Sequence, residues 1–244
     1  MSHISDKQGQ FWYFDIQLRR PDWRGRQVLD FGGNVGNLLR DPGCPIKQEQ
    51  YTCIDVCRDA VEQGRREFPR ARWIFYDCHN ECFNPAGRSR LPLPDIRQSF
   101  DFILAYSVFT HVVPTEMQRL VRSLQPFLAT HGVLAFSFID PFLHSWPGEY
   151  AGNNFRWRLD RINRDGPKVD AARAVRLVAD APWFVLADDA HVWVGSERLI
   201  TPGGGRARSF HVYHSPAYIR TLYPEAEILP PAHREMQHCC VMRR

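Results

Sequence analysis

Five short apolar runs, spaced along the first 140 residues, constrain this chain more than any other feature. They are VLDF (28–31), YTCIDV (51–56), RWIFY (72–76), DFILAY (101–106) and VLAFSFI (133–139). Each is continuous rather than alternating, so each reads as a strand covered on both faces. Between them lie helical patterns, one through Leu38–Leu39, one near 58–67 and one at 115–129, the last with apolar residues at 117, 120, 121, 124 and 128. Continuous apolar strands alternating with helices predict a parallel sheet covered on both faces.

The alternation breaks at Asp140-Pro141 and resumes at Ser215. SPAYIRTLY then reads as a helix with Ser215 as cap and Pro216 at its first position. AEIL (226–229) and QHCCVM (237–242) supply two closing strands. The stretch between differs: WFVLADDAHVWV has the pattern of a β-hairpin, FHVYH of a further strand, and 169–179 of a helix. The reading is a doubly wound core of residues 1–140 and 215–244, with an α+β cap, 141–214, inserted after the fifth strand. An aromatic segment, 3–20, predicts a helix ahead of Pro21.

Composition excludes more than it selects. The 244 residues are 44% apolar and 24% charged, as in ordinary globular chains. No apolar run approaches the ~20 residues of a membrane span, and the first residues lack a signal-peptide pattern; a cytoplasmic protein without a membrane partner is expected. The net charge of +4 is spread along the chain, with lysine only at 7, 47 and 168, which argues for no nucleic-acid partner. Seven scattered cysteines read as free thiols, and C-x-x-x-C at Cys78 and Cys82 has no second cluster to make a metal site.

The first strand runs into glycines 32, 33 and 36, a loop through which backbone N–H groups approach a ligand. A P-loop needs Lys-Ser/Thr after its last glycine, and Asn37-Leu38 stand there instead. A dinucleotide fingerprint needs glycine where Asn34 stands. Three acids narrow the choice: Asp30 directly before the loop, Asp55 at the end of the second strand, and Asp77 after the third. At successive strand ends they make one rim, suited to a phosphate-free adenosine ligand that carries positive charge.

On these motifs the sequence resembles the class I S-adenosylmethionine-dependent methyltransferases. VLDFGGNVGN is similar to their glycine motif, YTCIDV to their ribose motif, IFYDC to their adenine motif, FDFILAYSVFTHV to their fourth strand and GVLAFSF to their fifth. The resemblance implies a seven-stranded, Rossmann-like sheet, mostly parallel, whose last strand runs antiparallel. It implies S-adenosyl-L-methionine as cofactor, with Tyr13, Phe14, Asp30, Gly32, Gly33, Asn34, Asp55, Val56, Asp77, Cys78 and Tyr106 around it. His111, in the segment after the fourth strand, is expected near the acceptor and is the first candidate general base; His144 is the second. Asp140 and Glu149 are weaker candidates. Arg156, Arg158, Arg161 and Arg164 form either a solvated helix face or a clamp for an anionic acceptor. The expected reaction is methylation of a small molecule on a hydroxyl or carboxylate oxygen. RNA methylation, or a cofactor-fold protein without turnover, remains the alternative. Strand-forming segments in the cap suggest a homodimer.

Overall fold

The computed structural model describes residues 9–80, 82–140, 182–187, 192–194, 210–232 and 237–244. Strands β1 (Val28–Phe31), β2 (Tyr51–Asp55), β3 (Arg72–Phe75), β4 (Phe100–Ala105) and β5 (Leu128–Ile139) stand in the order β3-β2-β1-β4-β5, all parallel. Every residue of β1 and β2 is buried, as unbroken apolar runs in a doubly covered sheet require.

The closing strands complete the expected order. Antiparallel β10 (Gln237–Arg243) pairs β5 from Gln237↔Ile139 to Arg243↔Val133, and β9 (Glu227–Leu229) pairs only β10. Together these make the expected seven strands. Three more come from the 141–214 stretch: β6 (Trp183–Ala187) and β7 (Val192–Val194) form the antiparallel hairpin the sequence indicates, and β8 (Phe210–His214) pairs β6. β8 meets the sheet at Ile139↔Tyr213, beyond the end of β4. The described part of the insertion thus extends the same sheet.

Alternation along each strand splits the core into two layers. Leu29, Ile103, Leu134 and Phe136 face one side, packed with α4 (Pro114–Leu124) and α5 (Pro216–Leu222) through Met117, Leu120, Val121, Leu124 and Ile219. Val28, Cys53, Leu104 and Ala135 face the other, under α1 (Gln10–Gln17) and α3 (Arg58–Glu67). Helix α4 starts at Pro114, where a missing N–H costs nothing, and its buried residues recur at helical spacing. The helix expected over 3–20 is shorter among the described residues. It opens at Gln10, where Asp41 Oδ2 accepts from Phe11 N at 2.6 Å, and ends at Gln17. β5 begins five residues before the expected Val133, because the chain turns through a 3-10 segment, Gln125–Phe127, instead of prolonging α4.

Helix α3 yields a test of this packing. Gly64 lies mid-helix, where alanine ordinarily gains up to ~1 kcal/mol. A Cβ there would overlap the Trp73 ring on β3. Gly64→Ala is therefore expected to destabilise, by about 1–3 kcal/mol, measured by urea unfolding; a gain would contradict the packing of α3 on β3.

Candidate active site

The cleft forms where strand order reverses, between the carboxyl ends of β1 and β4, the usual ligand position in open parallel sheets. Its floor is the glycine loop. Gly32 takes φ +78°, donates its N–H to Ile54 O at 2.7 Å, and lies so close to Val108 that a Cβ would collide. Gly33 rests on the acid before it: a Cβ there would stand 2.5 Å from Asp30 Oδ2 and 2.7 Å from the Tyr51 hydroxyl. Asn34 takes φ +53°, a left-handed conformation that asparagine tolerates better than most side chains. The asparagine that breaks the dinucleotide pattern thus satisfies a backbone requirement.

Two of the three rim acids now have distinct surroundings. Asp55 Oδ2 accepts from Asn34 N at 2.8 Å and Oδ1 from Cys57 N at 2.7 Å, so one carboxylate holds the glycine loop to the end of β2. Burial raises its pKa against those hydrogen bonds. A carboxylate has about four acceptor sites, so these hydrogen bonds leave acceptor capacity, and Asp55 lines the cleft. Asp30 does not. It is 1% exposed beneath Gly33 and accepts from Tyr51 Oη at 2.6 Å. Burial pushes its pKa up to about 7, the Tyr51 hydrogen bond opposes this, and the nearby Asp55 charge adds to it.

The cleft takes in about 990 Å³ of space, with open solvent at its mouth included. Of the expected residues, Gly32, Asn34, Asp55, Val56, Cys78, Tyr106 and His111 line it. Tyr13, Phe14, Asp30, Gly33 and Asp77 do not. Tyr13 and Phe14 are fully buried, the Tyr13 hydroxyl donating to His238 O at 2.7 Å. They stand edge-on behind Tyr106, at 5.0 and 6.3 Å between ring centres; core packing claims both. The Asp77 carboxylate accepts from Asn84 Nδ2 at 3.2 Å, inside the loop it begins. Asp140 lies 3.6 Å from His238 Nε2, away from the cleft. His144, Glu149, the arginines at 156–164 and the helix at 169–179 lie outside the described residues.

The structure adds residues that sequence reasoning missed: Gln10, His79, Asn80, Phe83 and Glu116 in the cleft wall, and His211 behind it. Position directly after the adenine motif could have flagged His79 and Asn80. The others come from α1, α4, β8 and an irregular loop, which carry no motif. His111 sits between two rings, Phe83 at 5.2 Å and His211 at 4.8 Å. Phe83 is 48% exposed, an apolar face left at the cleft mouth.

Comparison with known proteins agrees with this layout. Residues 29–134 match a family model described as a methyltransferase domain. In the solved structures, the chain resembles S-adenosylmethionine-bound CalS10 of Micromonospora echinaspora, an amino pentose methyltransferase involved in calicheamicin biosynthesis, at 14% identity. The match covers 94% of this chain and 86% of that one, with a TM-score of 0.51. An S-adenosylmethionine-dependent methyltransferase from Mesorhizobium loti matches at 15% identity over 95% and 98%, with a TM-score of 0.50. A TehB-like enzyme from Corynebacterium glutamicum matches at 20% over 51% of this chain, with a TM-score of 0.37; the chain spans 59% of its length. At these identities the likeness is one of fold.

The buried Asp30 predicts a pH dependence. Its carboxyl holds a proton to about pH 7 in the folded chain but loses it near pH 4 when unfolded. Between those values the folded state binds more protons, so stability falls as pH rises and the penalty is complete above pH 7. Each pH unit carries about 1.4 kcal/mol, roughly 4 kcal/mol in all as an upper figure. Asp30→Asn should be near neutral at pH 5 and stabilising at pH 8, read from thermal melting at both values. Equal effects at the two pH values would show that Asp30 is ionised in the folded chain.

Proposed function

We propose that this chain, whose residues 29–134 match a methyltransferase domain, is a class I S-adenosylmethionine-dependent methyltransferase and that it methylates an oxygen of a small molecule, a hydroxyl or a carboxylate. One observation carries the assignment of the cleft: Asp55, fixed by two backbone N–H groups, presents its remaining acceptor positions beside the glycine loop. That geometry suits the paired hydroxyls of a ribose. The described cleft residues include two carboxylates, Asp55 and Glu116, and neither lysine nor arginine. This balance suits a phosphate-free nucleoside bearing positive charge and disfavours a pyrophosphate.

Gly32, Asn34, Asp55, Val56, Cys78 and Tyr106 would hold the cofactor, Val56 and Cys78 lending apolar surface at the ends of β2 and β3. When bound, it supplies a methyl carbon made electrophilic by the adjoining sulfonium. The chain's own part is to hold the acceptor oxygen in line with that carbon, an arrangement that provides up to ~7–11 kcal/mol, and to keep water out. For a hydroxyl acceptor His111 takes the proton, since an imidazole titrates near neutrality; a carboxylate acceptor needs no base. Acceptor recognition falls to residues 141–214, together with Phe83 at the mouth. An anionic acceptor would draw on the arginines at 156–164, and a homodimer on the strands of that stretch. No helix among the described residues is long and apolar enough to cross a membrane.

Calorimetric titration with S-adenosylmethionine, S-adenosylhomocysteine and NADPH tests the cofactor assignment. Micromolar binding of the first two is expected, with Asp55→Asn weakening both by about 10- to 100-fold, the worth of one or two hydrogen bonds to a charged acceptor. Binding of NADPH instead would overturn it. A screen of hydroxylated and carboxylated metabolites, followed by release of S-adenosylhomocysteine, then identifies the acceptor.

A further inference from the structure

The two imidazoles of His111 and His211 come from segments about 100 residues apart, yet their ring centres are 4.8 Å apart at 59°. The approach is built into the backbone. Val212 N donates to Thr110 O at 2.8 Å, fastening β8 to the loop after β4 one residue from each histidine. His111 N is held in turn by Val108 O at 3.0 Å. β8 is itself fixed by β6, with Leu186↔His211 and Val185↔Val212 in register. His111 forms part of the cleft wall and His211 stands behind it.

We propose that His211 is a positioning residue for the acceptor side of the site: it forms with His111 one proton-sharing pair. The proposal rests on the reading of this cleft as a methyltransferase site. Two imidazolium ions at this separation repel, so the pair carries one proton at most near neutral pH and one ring stays neutral. His111 is thereby kept ready to act as base. As an acceptor hydroxyl takes the methyl group, its O–H bond breaks and the new C–O bond forms. The electron pair of the old S–C bond stays on sulfur, and the proton passes to His111. Other titratable groups of the cleft wall are Cys78 and His79 after β3, Asp55 and Cys57 at β2, Tyr106 at β4 and Glu116 on α4, while Cys82 packs against the cluster that contains Val212. Glu116 is tied to Arg119, and His211 is a titratable ring in direct contact with His111.

The test is an NMR titration of the imidazole Cε1–H signals of the full chain from pH 5 to 9, without cofactor or acceptor. Wild type is compared with His211→Phe, which keeps a ring in place, and with His211→Asn. His111 is expected to titrate over more than one step in the wild type and along a single-site curve in both variants. A single-site curve in the wild type would overturn the pair. So would persistence of the multi-step curve in either variant, which would mean that another group is coupled to His111. Binding of S-adenosylmethionine to the same samples separates the two ideas: the pair concerns only the titration, whereas loss of binding in the wild type would count against the cofactor assignment.

Discussion

The site depends on one carboxylate holding two strands' ends together. Asp55 accepts from Asn34 N and from Cys57 N, so the loop leaving β1 and the turn leaving β2 are fixed relative to each other. Backbone N–H groups at the ends of parallel strands have no ladder partner and must find one. Here a side chain provides it, and the crevice between β1 and β4 keeps its shape. The same carboxylate lines the cleft, so on the proposed reading the group that builds the site would also meet the ligand.

The opposite wall is held by a comparable relay. Ser107 takes φ +57°, a conformation uncommon for serine, and its N–H donates to Ser137 Oγ at 2.7 Å. Ser137 in turn donates to Gln237 Oε1 at 2.7 Å. The turn after β4 is thus fastened across β5 to the first residue of β10. Such backbone strain is characteristic of functional segments when surroundings enforce it. Here it directs Val108 toward Gly32 and places His111 at the cleft wall.

The sheet and the glycine loop were legible because they rest on local patterns: continuous apolar runs for buried strands, glycine where φ is positive, and acids at strand ends. Even the antiparallel last strand followed from the family resemblance and stands as expected. What sequence could not rank was depth. Asp30, Asp55 and Asp77 look alike in the chain, yet one is sealed beneath Gly33, one lines the cleft and one turns into its own loop. Strand position fixes where a Cα lies, whereas the surrounding packing decides which face a carboxyl meets. Tyr13 and Phe14 show the same limit: an aromatic helix reads equally as cofactor cover or as core, and the Tyr13 hydroxyl bonded to His238 O decides for core. His211 was invisible for another reason, since it enters through the pairing of β8, a non-local event with no motif.

The unequal burial of Asp30 and Asp55 has an electrostatic consequence. Two acids at adjacent strand ends cannot both ionise freely in a dry site. The structure resolves the conflict by environment: Asp55 receives two backbone N–H groups, while Asp30 receives one phenol and full burial. Burial raises the pKa of both carboxyls, that of Asp30 to about 7, and backbone hydrogen bonds oppose the rise at Asp55. The Asp30 carboxyl packs directly against the backbone of Gly33. A cation bound over that loop would favour the ionised form of Asp30, and a phosphate would be repelled by it. On the proposed reading, the acid beneath the glycine loop would add to the preference of the cleft for a cationic, phosphate-free ligand.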